Sequence, residues 1–283
     1  MSEQGDELAI RRILVALDAS HHSLAALEAA AELAASLKAE LEGLFVEDIR
    51  LLRAATLPVV REVRFPFDSS DALDLPRMQR ELRAQAAMAA RALQEACQAR
   101  QIKGTFRVLR GQVTPSVMRA ALQADLLSLG ATSRPLVQRP ALGSTARAAA
   151  TQSPGLVLLV RRGRRIEGPI VATLASEPAA QRTLALAAHL ANRSGGYLTI
   201  LILAEQAEQA QQLRAQAGEW LRSRRLLVRY RRLTEKSSAV LAEAVDQERS
   251  GALVLDGAIL PAEALEELLE GIECPVLLVR QSE

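Results

Sequence analysis

Short, uninterrupted apolar runs alternate along this chain with longer stretches whose apolar positions recur every three or four residues. The first run is Ile13-Leu14-Val15-Ala16-Leu17, ended by Asp18. With no polar position on either face, it predicts a strand covered on both sides, as in a parallel sheet. Leu24, Leu27, Ala31, Ala34 and Leu37 follow at helical spacing, with Glu28, Glu32 and Lys38 off that face. Ser20 or Ser23 can cap that helix. Residues 41–46 read as a second strand, and strand, helix and strand in succession predict a right-handed crossover.

The rhythm breaks over residues 47–76, where Pro58, Pro66, Pro76 and mixed charge predict a long irregular excursion with a short helix over 49–55. A helix over 76–100 carries Leu82, Met88 and Leu93 in its apolar pattern. A third strand follows over 105–109, then a helix over 115–123 turning Val117, Met118 and Leu122 inward, and a fourth strand over 126–129. A helix opens after Gly143, and Leu156–Val160 is a fifth strand. Residues 161–169, charged and punctuated by Gly and Pro, read as a linker.

The pattern then repeats. Strands are expected over 170–176, 197–203, 226–233, 252–255 and 275–279, separated by helices, the first closed by Gly195-Gly196. This predicts an α/β fold of two doubly wound domains, 1–163 and 164–283, each an open five-stranded, mainly parallel sheet flanked by helices. The closing strands of the two halves are apolar throughout, and bare they would invite aggregation. They are expected to pair antiparallel or to pack closely against each other, making an internal pseudo-dimer.

Composition narrows the classes. No apolar run among the 283 residues approaches the roughly 18 needed to span a bilayer, and the first residues are polar and acidic rather than signal-like, so a cytoplasmic protein with no membrane partner is expected. Net charge is +2 and aromatic content 2%, which leaves few rings to stack on bases and disfavours nucleic acid despite clusters at Arg161, Arg162, Arg164 and Arg165 and over 222–232. Those clusters read as linker and solvated faces. Cys97 and Cys274 read as inert buried thiols, and no Cys/His spacing suits a metal.

The candidate chemistry lies in Ala124-Asp125-Leu126-Leu127-Ser128-Leu129-Gly130 and the downstream Gly143-Ser144-Thr145. A strand ending in small residues lets backbone N–H groups approach phosphate oxygens. A helix opening on Gly-Ser-Thr adds its positive end and two hydroxyl donors. In an open parallel sheet the ligand crevice lies beyond the carboxyl ends of the strands, where Asp18 and Gly130 both fall. There is no Gly-x-x-x-x-Gly-Lys-Ser/Thr loop, so no lysine is set on β- and γ-phosphates. His21 and His22 read as an exposed turn.

In the order and spacing of these pieces, in both halves, the chain resembles a tandem universal stress protein. Electron-transfer flavoproteins and nucleotidylating enzymes, which share the sheet, would need motifs that are absent. Nucleotide-binding members of the family carry Gly, two residues, Gly, nine residues, then Gly with Ser or Thr. Here Gly130 matches the first position, Ser133 stands at the second, and Gly143-Ser144 match the third. The resemblance implies that Asp18 holds the ribose, worth about 1.5–3 kcal/mol for an ionised acceptor, and that Val46 touches the base. It implies ATP, in the first domain only, with Mg2+ only as the nucleotide's counter-ion. If the second position needs a positive φ, serine there costs about 1–2 kcal/mol, on the order of tenfold in affinity.

The twin site is expected to be lost. Leu174 is read in the place of Asp18, and the span from Gly257 to Pro275 is about eight residues shorter than that from Gly130 to Leu156. The function expected is therefore an ATP-binding stress-response sensor or regulator with one site, at most slow in ATP hydrolysis or self-phosphorylation. The alternative is a scaffold that binds no nucleotide. Protein partners stay unnamed, and a further homodimer is left open.

Overall fold

The computed structural model describes residues 10–54, 61–63, 70–72, 75–132, 141–161, 163–175 and 177–280. The first half runs β1 (Arg12–Leu17), α1 (His21–Leu37), β2 (Glu40–Asp48), α2 (Ile49–Ala54), β3 (Arg61–Val63), β4 (Ser70–Ala72), α3 (Leu75–Arg100), β5 (Gly104–Gly111), α4 (Val113–Ala121), β6 (Leu126–Gly130), α5 (Ser144–Gln152) and β7 (Leu156–Val160). The second runs β8 (Ile170–Leu174), α6 (Glu177–Arg193), β9 (Tyr197–Leu203), α7 (Ala207–Leu221), β10 (Leu227–Leu233), α8 (Ser238–Gln247), β11 (Ala252–Asp256), α9 (Ala262–Gly271) and β12 (Val276–Val279).

Ten strands form one sheet in the order β10-β9-β8-β11-β12-β7-β6-β1-β2-β5. Within each five-strand half every pairing is parallel, and the two halves carry the same strand order. The single antiparallel pairing joins them: Val276, Leu277 and Leu278 of β12 lie opposite Leu159, Leu158 and Val157 of β7. The two apolar closing strands thus cover each other, as their composition demands.

Both faces of the sheet are buried. Ile13, Val15 and Leu17 point into one apolar layer with α1, α3, α6 and α7, and each layer runs through both halves. Leu14 points into the other, with α4, α5, α8 and α9. The helices also end as the sequence dictates. Gly195 and Gly196 take φ of 106° and 81° after α6, a conformation that suits glycine, and the Gly196 N–H donates to Ala191 O at 2.7 Å.

Three expectations change. The 47–76 excursion holds the expected short helix, α2, and in addition a small antiparallel pair, β3 with β4, that was not expected. Leu122 and Met88 face outward, 67% and 52% exposed. In α4 the inward face is Val117, Ala120 and Ala121, because the helix spans Val113–Ala121 and ends before Leu122. In α3 alanines at 86, 89 and 96 join Leu82 and Leu93 on the buried face and leave Met88 on the other side. Finally, Arg161 is no solvated linker residue. Its guanidinium donates to Leu269 O at 2.7 Å and Glu270 O at 3.1 Å, at the last turn of α9. Burial depresses its pKa, as it does that of Arg280, which follows β12 and reaches Ala150 O in α5. Each half so sends one arginine to the final carbonyls of the other half's helix, where a cation complements the helix dipole.

Candidate functional site

The carboxyl ends of β1 and β6 lie side by side, because Ile13, Leu14 and Val15 pair with Leu126, Leu127 and Ser128. Past Leu17 the chain turns sharply into α1. Ala19 takes φ of 58°, which costs about 1–2 kcal/mol for a residue with a Cβ. The turn is held by side chains: Asp18 Oδ1 accepts the Ser20 N–H at 2.9 Å, and the N-cap Ser20 Oγ accepts the Ser23 N–H at 3.2 Å. Asp18 is exposed, so its carboxylate serves the turn with one oxygen and lines the cleft.

Gly130 closes β6 under the first turn of α1. A Cβ there would stand 2.9 Å from His22 C and Cβ, so glycine is what lets the helix start pack on the strand end. Thr132 Oγ1 lies 3.0 Å from His22 Nε2 on the same side. His22 therefore works as packing behind the strand, while His21 is exposed.

Across the cleft, α5 begins at Ser144 with Gly143 as its N-cap, at φ −63° and ψ 149°. That conformation suits any residue. What glycine contributes is an N-cap with no side chain to take up the first-turn N–H groups. The Gly143 N–H itself donates to Ala131 O at 3.0 Å, tying the helix start to the strand end. Thr145 Oγ1 meets Thr114 Oγ1 of α4 at 2.9 Å.

These pieces enclose a cavity of about 420 Å³, lined by Asp18, Val46, Gly130, Gly143, Ser144 and Thr145. The size falls within the roughly 300–1,000 Å³ of small-molecule sites. Ser133 lies outside the described residues. The residue pattern did not single out Thr114, Thr132, Asp48 or Arg50, which also line the cavity. Arg50 sits in the first turn of α2, two-thirds exposed and 3.3 Å from Asp48; only the short helix predicted over 49–55 hinted at it. Leu51, Val113, Val117 and Leu129 supply an apolar wall.

A larger cavity, about 750 Å³, lies beneath the linker at the amino ends of β11 and β12. Its lining mixes Arg164, Arg249, Glu243 and Asp246, and Cys274, whose thiol burial pushes up to about 11. It lacks the strand ends and helix start that converge on the smaller cleft. Among the described residues no three His, Cys, Asp or Glu stand together to hold a metal.

The second half presents a different surface at the equivalent place. Leu17 lies opposite Phe45 in the first half and Leu174 opposite Ile202 in the second, so Leu174 matches Leu17 and Ala175 takes the place of Asp18. The expectation of Leu174 there is one residue out. Asp256 pairs with Val279 as Gly130 pairs with Val160, so a carboxylate replaces the strand-end glycine. Asp256 Oδ1 accepts the Ala258 N–H at 3.0 Å, and α9 starts six residues on, against fourteen from Gly130 to α5.

No helix among the described residues is long and apolar enough to cross a membrane. No match was found among curated protein sequences. Among solved structures, a universal stress protein from Archaeoglobus fulgidus shares 14% identity, with 96% of this chain and 99% of that one covered, at a TM-score of 0.72. A putative universal stress protein from Pseudomonas aeruginosa shares 14% identity over 97% of this chain and 94% of its own, at 0.56. The cytoplasmic domain of a prokaryotic cation chloride cotransporter shares 12% identity over 96% of each chain, also at 0.56. At these identities the likeness is one of fold. The sequence pattern of the universal stress protein family matches residues 9–161, more than half of the chain, and the chain belongs to that family.

Proposed function

We propose that the first-half cleft binds ATP or a closely related nucleotide, one per chain, and that the protein acts through it as a sensor or regulator. The observation that carries this reading is the convergence of a carboxylate, an apolar wall and a hydroxyl-bearing helix start on one cavity at the carboxyl ends of β1 and β6. In this reading Val46 and the apolar wall take the base and Asp18 accepts from the ribose. The first-turn N–H groups of α5, with Ser144 and Thr145, take the phosphates. Mg2+ enters only as counter-ion of the nucleotide. The described lining holds no lysine or histidine, which fits binding better than rapid turnover.

A scaffold that binds no nucleotide is the second reading. Two observations favour it: Asp18 already serves the Ser20 turn, and Gly130 is already required by His22. Calorimetric titration separates the two. ATP binding is expected, weakened about tenfold by Asp18→Ala. Gly143→Val, which the backbone tolerates, sets a branched side chain before the helix N–H groups and abolishes binding. Absence of heat at millimolar ATP, or full binding by a variant carrying both Asp18→Ala and Gly143→Val, overturns the nucleotide reading in favour of the scaffold.

A further inference from the structure

The helix whose first turn forms the polar end of the cleft is held from the other half of the molecule. Leu142, buried and one residue ahead of the Gly143 cap, donates its backbone N–H to Glu270 Oε1 at 3.2 Å. The same oxygen stands 3.6 Å from Arg147 Nη2, and Arg147 Nε meets Glu266 Oε2 at 3.1 Å. Both carboxylates belong to α9. At the far end of α5, Arg280 donates to Ala150 O. Second-half groups thus fix both ends of α5.

We propose that Glu270 is a positioning residue for the first-half site: from the last turn of α9 it holds the Leu142 N–H and Arg147, and so sets where the first turn of α5 stands. This rests on the nucleotide reading of the cleft. The second half, which lacks the site's own features, then helps to set its geometry, with Glu270 as the group that acts at the helix start. Two effects of that carboxylate oppose each other. Its acceptor oxygen orders the helix start, while its negative charge, set against the Arg147 and Arg161 guanidiniums, disfavours phosphate nearby. Replacement by glutamine keeps an acceptor and removes the charge; replacement by alanine removes both.

Glu270 is 41% exposed, so neither change disturbs the core. The test is ATP titration of the full chain and of Glu270→Ala and Glu270→Gln, with hydrogen exchange followed at the Leu142 amide. The alanine variant is expected to bind about three- to tenfold more weakly, the size of one lost charge-assisted hydrogen bond or less, and to exchange Leu142 faster. The glutamine variant is expected within twofold of the parent or tighter. A role in stability alone would lower the melting temperature of the alanine variant without separating the two affinities. Parent-like affinity in Glu270→Ala overturns the positioning role and leaves the nucleotide reading intact. Equal weakening in both variants overturns the acceptor as its cause. Absence of ATP binding by the parent overturns the nucleotide reading, and this inference with it.

Discussion

Gly130 and Asp256 close equivalent strands of one continuous sheet, yet their surroundings have little in common. Beyond Gly130 the chain takes fourteen residues to reach a helix that opens on Gly-Ser-Thr; beyond Asp256 it takes six and starts α9 after Pro261. The five strands of the main sheet, their order and the four helices that flank them recur in both halves; α2, β3 and β4 belong to the first half alone among the described residues. The fold therefore needs only the strand and the helix, whereas the cleft is lined in addition by Gly130 at the strand end and by Gly143, Ser144 and Thr145 at the helix start. The second half keeps the same sheet without those features, so the sheet does not depend on them.

The comparison supposes that the halves share one core, and the largest expected effect tests that. Leu158 and Leu277 face each other across the β7–β12 junction, each 1% exposed. Either one changed to Ala should destabilise the whole chain by about 2–5 kcal/mol, seen as one earlier urea transition. Two separated transitions, with only one half affected, would show independent halves.

The strand ends come next. Gly130→Val forces a branched side chain against the His22 backbone and should cost about 1–3 kcal/mol. Asp256→Ala at the equivalent position removes the acceptor for the Ala258 N–H and the negative charge that faces the Arg280 guanidinium, about 1 kcal/mol for the hydrogen bond. Chemical denaturation of both variants reads the difference, and equal losses would mean that the two strand ends are packed alike.

How much of this the residues announce depends on burial. The uniformly apolar inner strands and the meeting of the two closing strands were legible, because a strand buried on both faces has to be apolar throughout; the order of the strands in the sheet was not. The same uniformity hides the phase. A run such as Ile170-Val171-Ala172-Thr173-Leu174-Ala175 has no inside-outside alternation to mark its register, which is why Ala175, not Leu174, answers to Asp18. Gly130 was legible as a special position, but its close neighbour, His22, is far away in sequence. Arg50 and Thr114 reach the cleft from a short helix and a helix start with no motif of their own.

A smaller effect reports on the contact between α1 and α6. His189 Nε2 lies 2.8 Å from Ser36 Oγ, and burial first, then the Arg193 charge, lowers its pKa below the usual 6.5. The folded state then binds fewer protons than the unfolded one. Stability from this group is complete above the unfolded pKa of about 6.5 and is lost as pH falls from there toward the lowered folded value. Urea midpoints at pH 7.5 and 5.5 should differ less in His189→Gln than in the parent; an unchanged difference would remove His189 from the account. Smallest of all, Asp256→Gly should restore no second site, since Ile259, Leu260 and Pro261 still stand where the phosphate-side residues are missing.

The measurement that bears most directly on the asymmetry is the stoichiometry of ATP binding to the full chain by isothermal titration calorimetry. One ATP per chain, lost in Gly143→Val and unchanged in Asp256→Gly, is the predicted result. Two ATP per chain, or one that survives Gly143→Val, would contradict a single site in the first half.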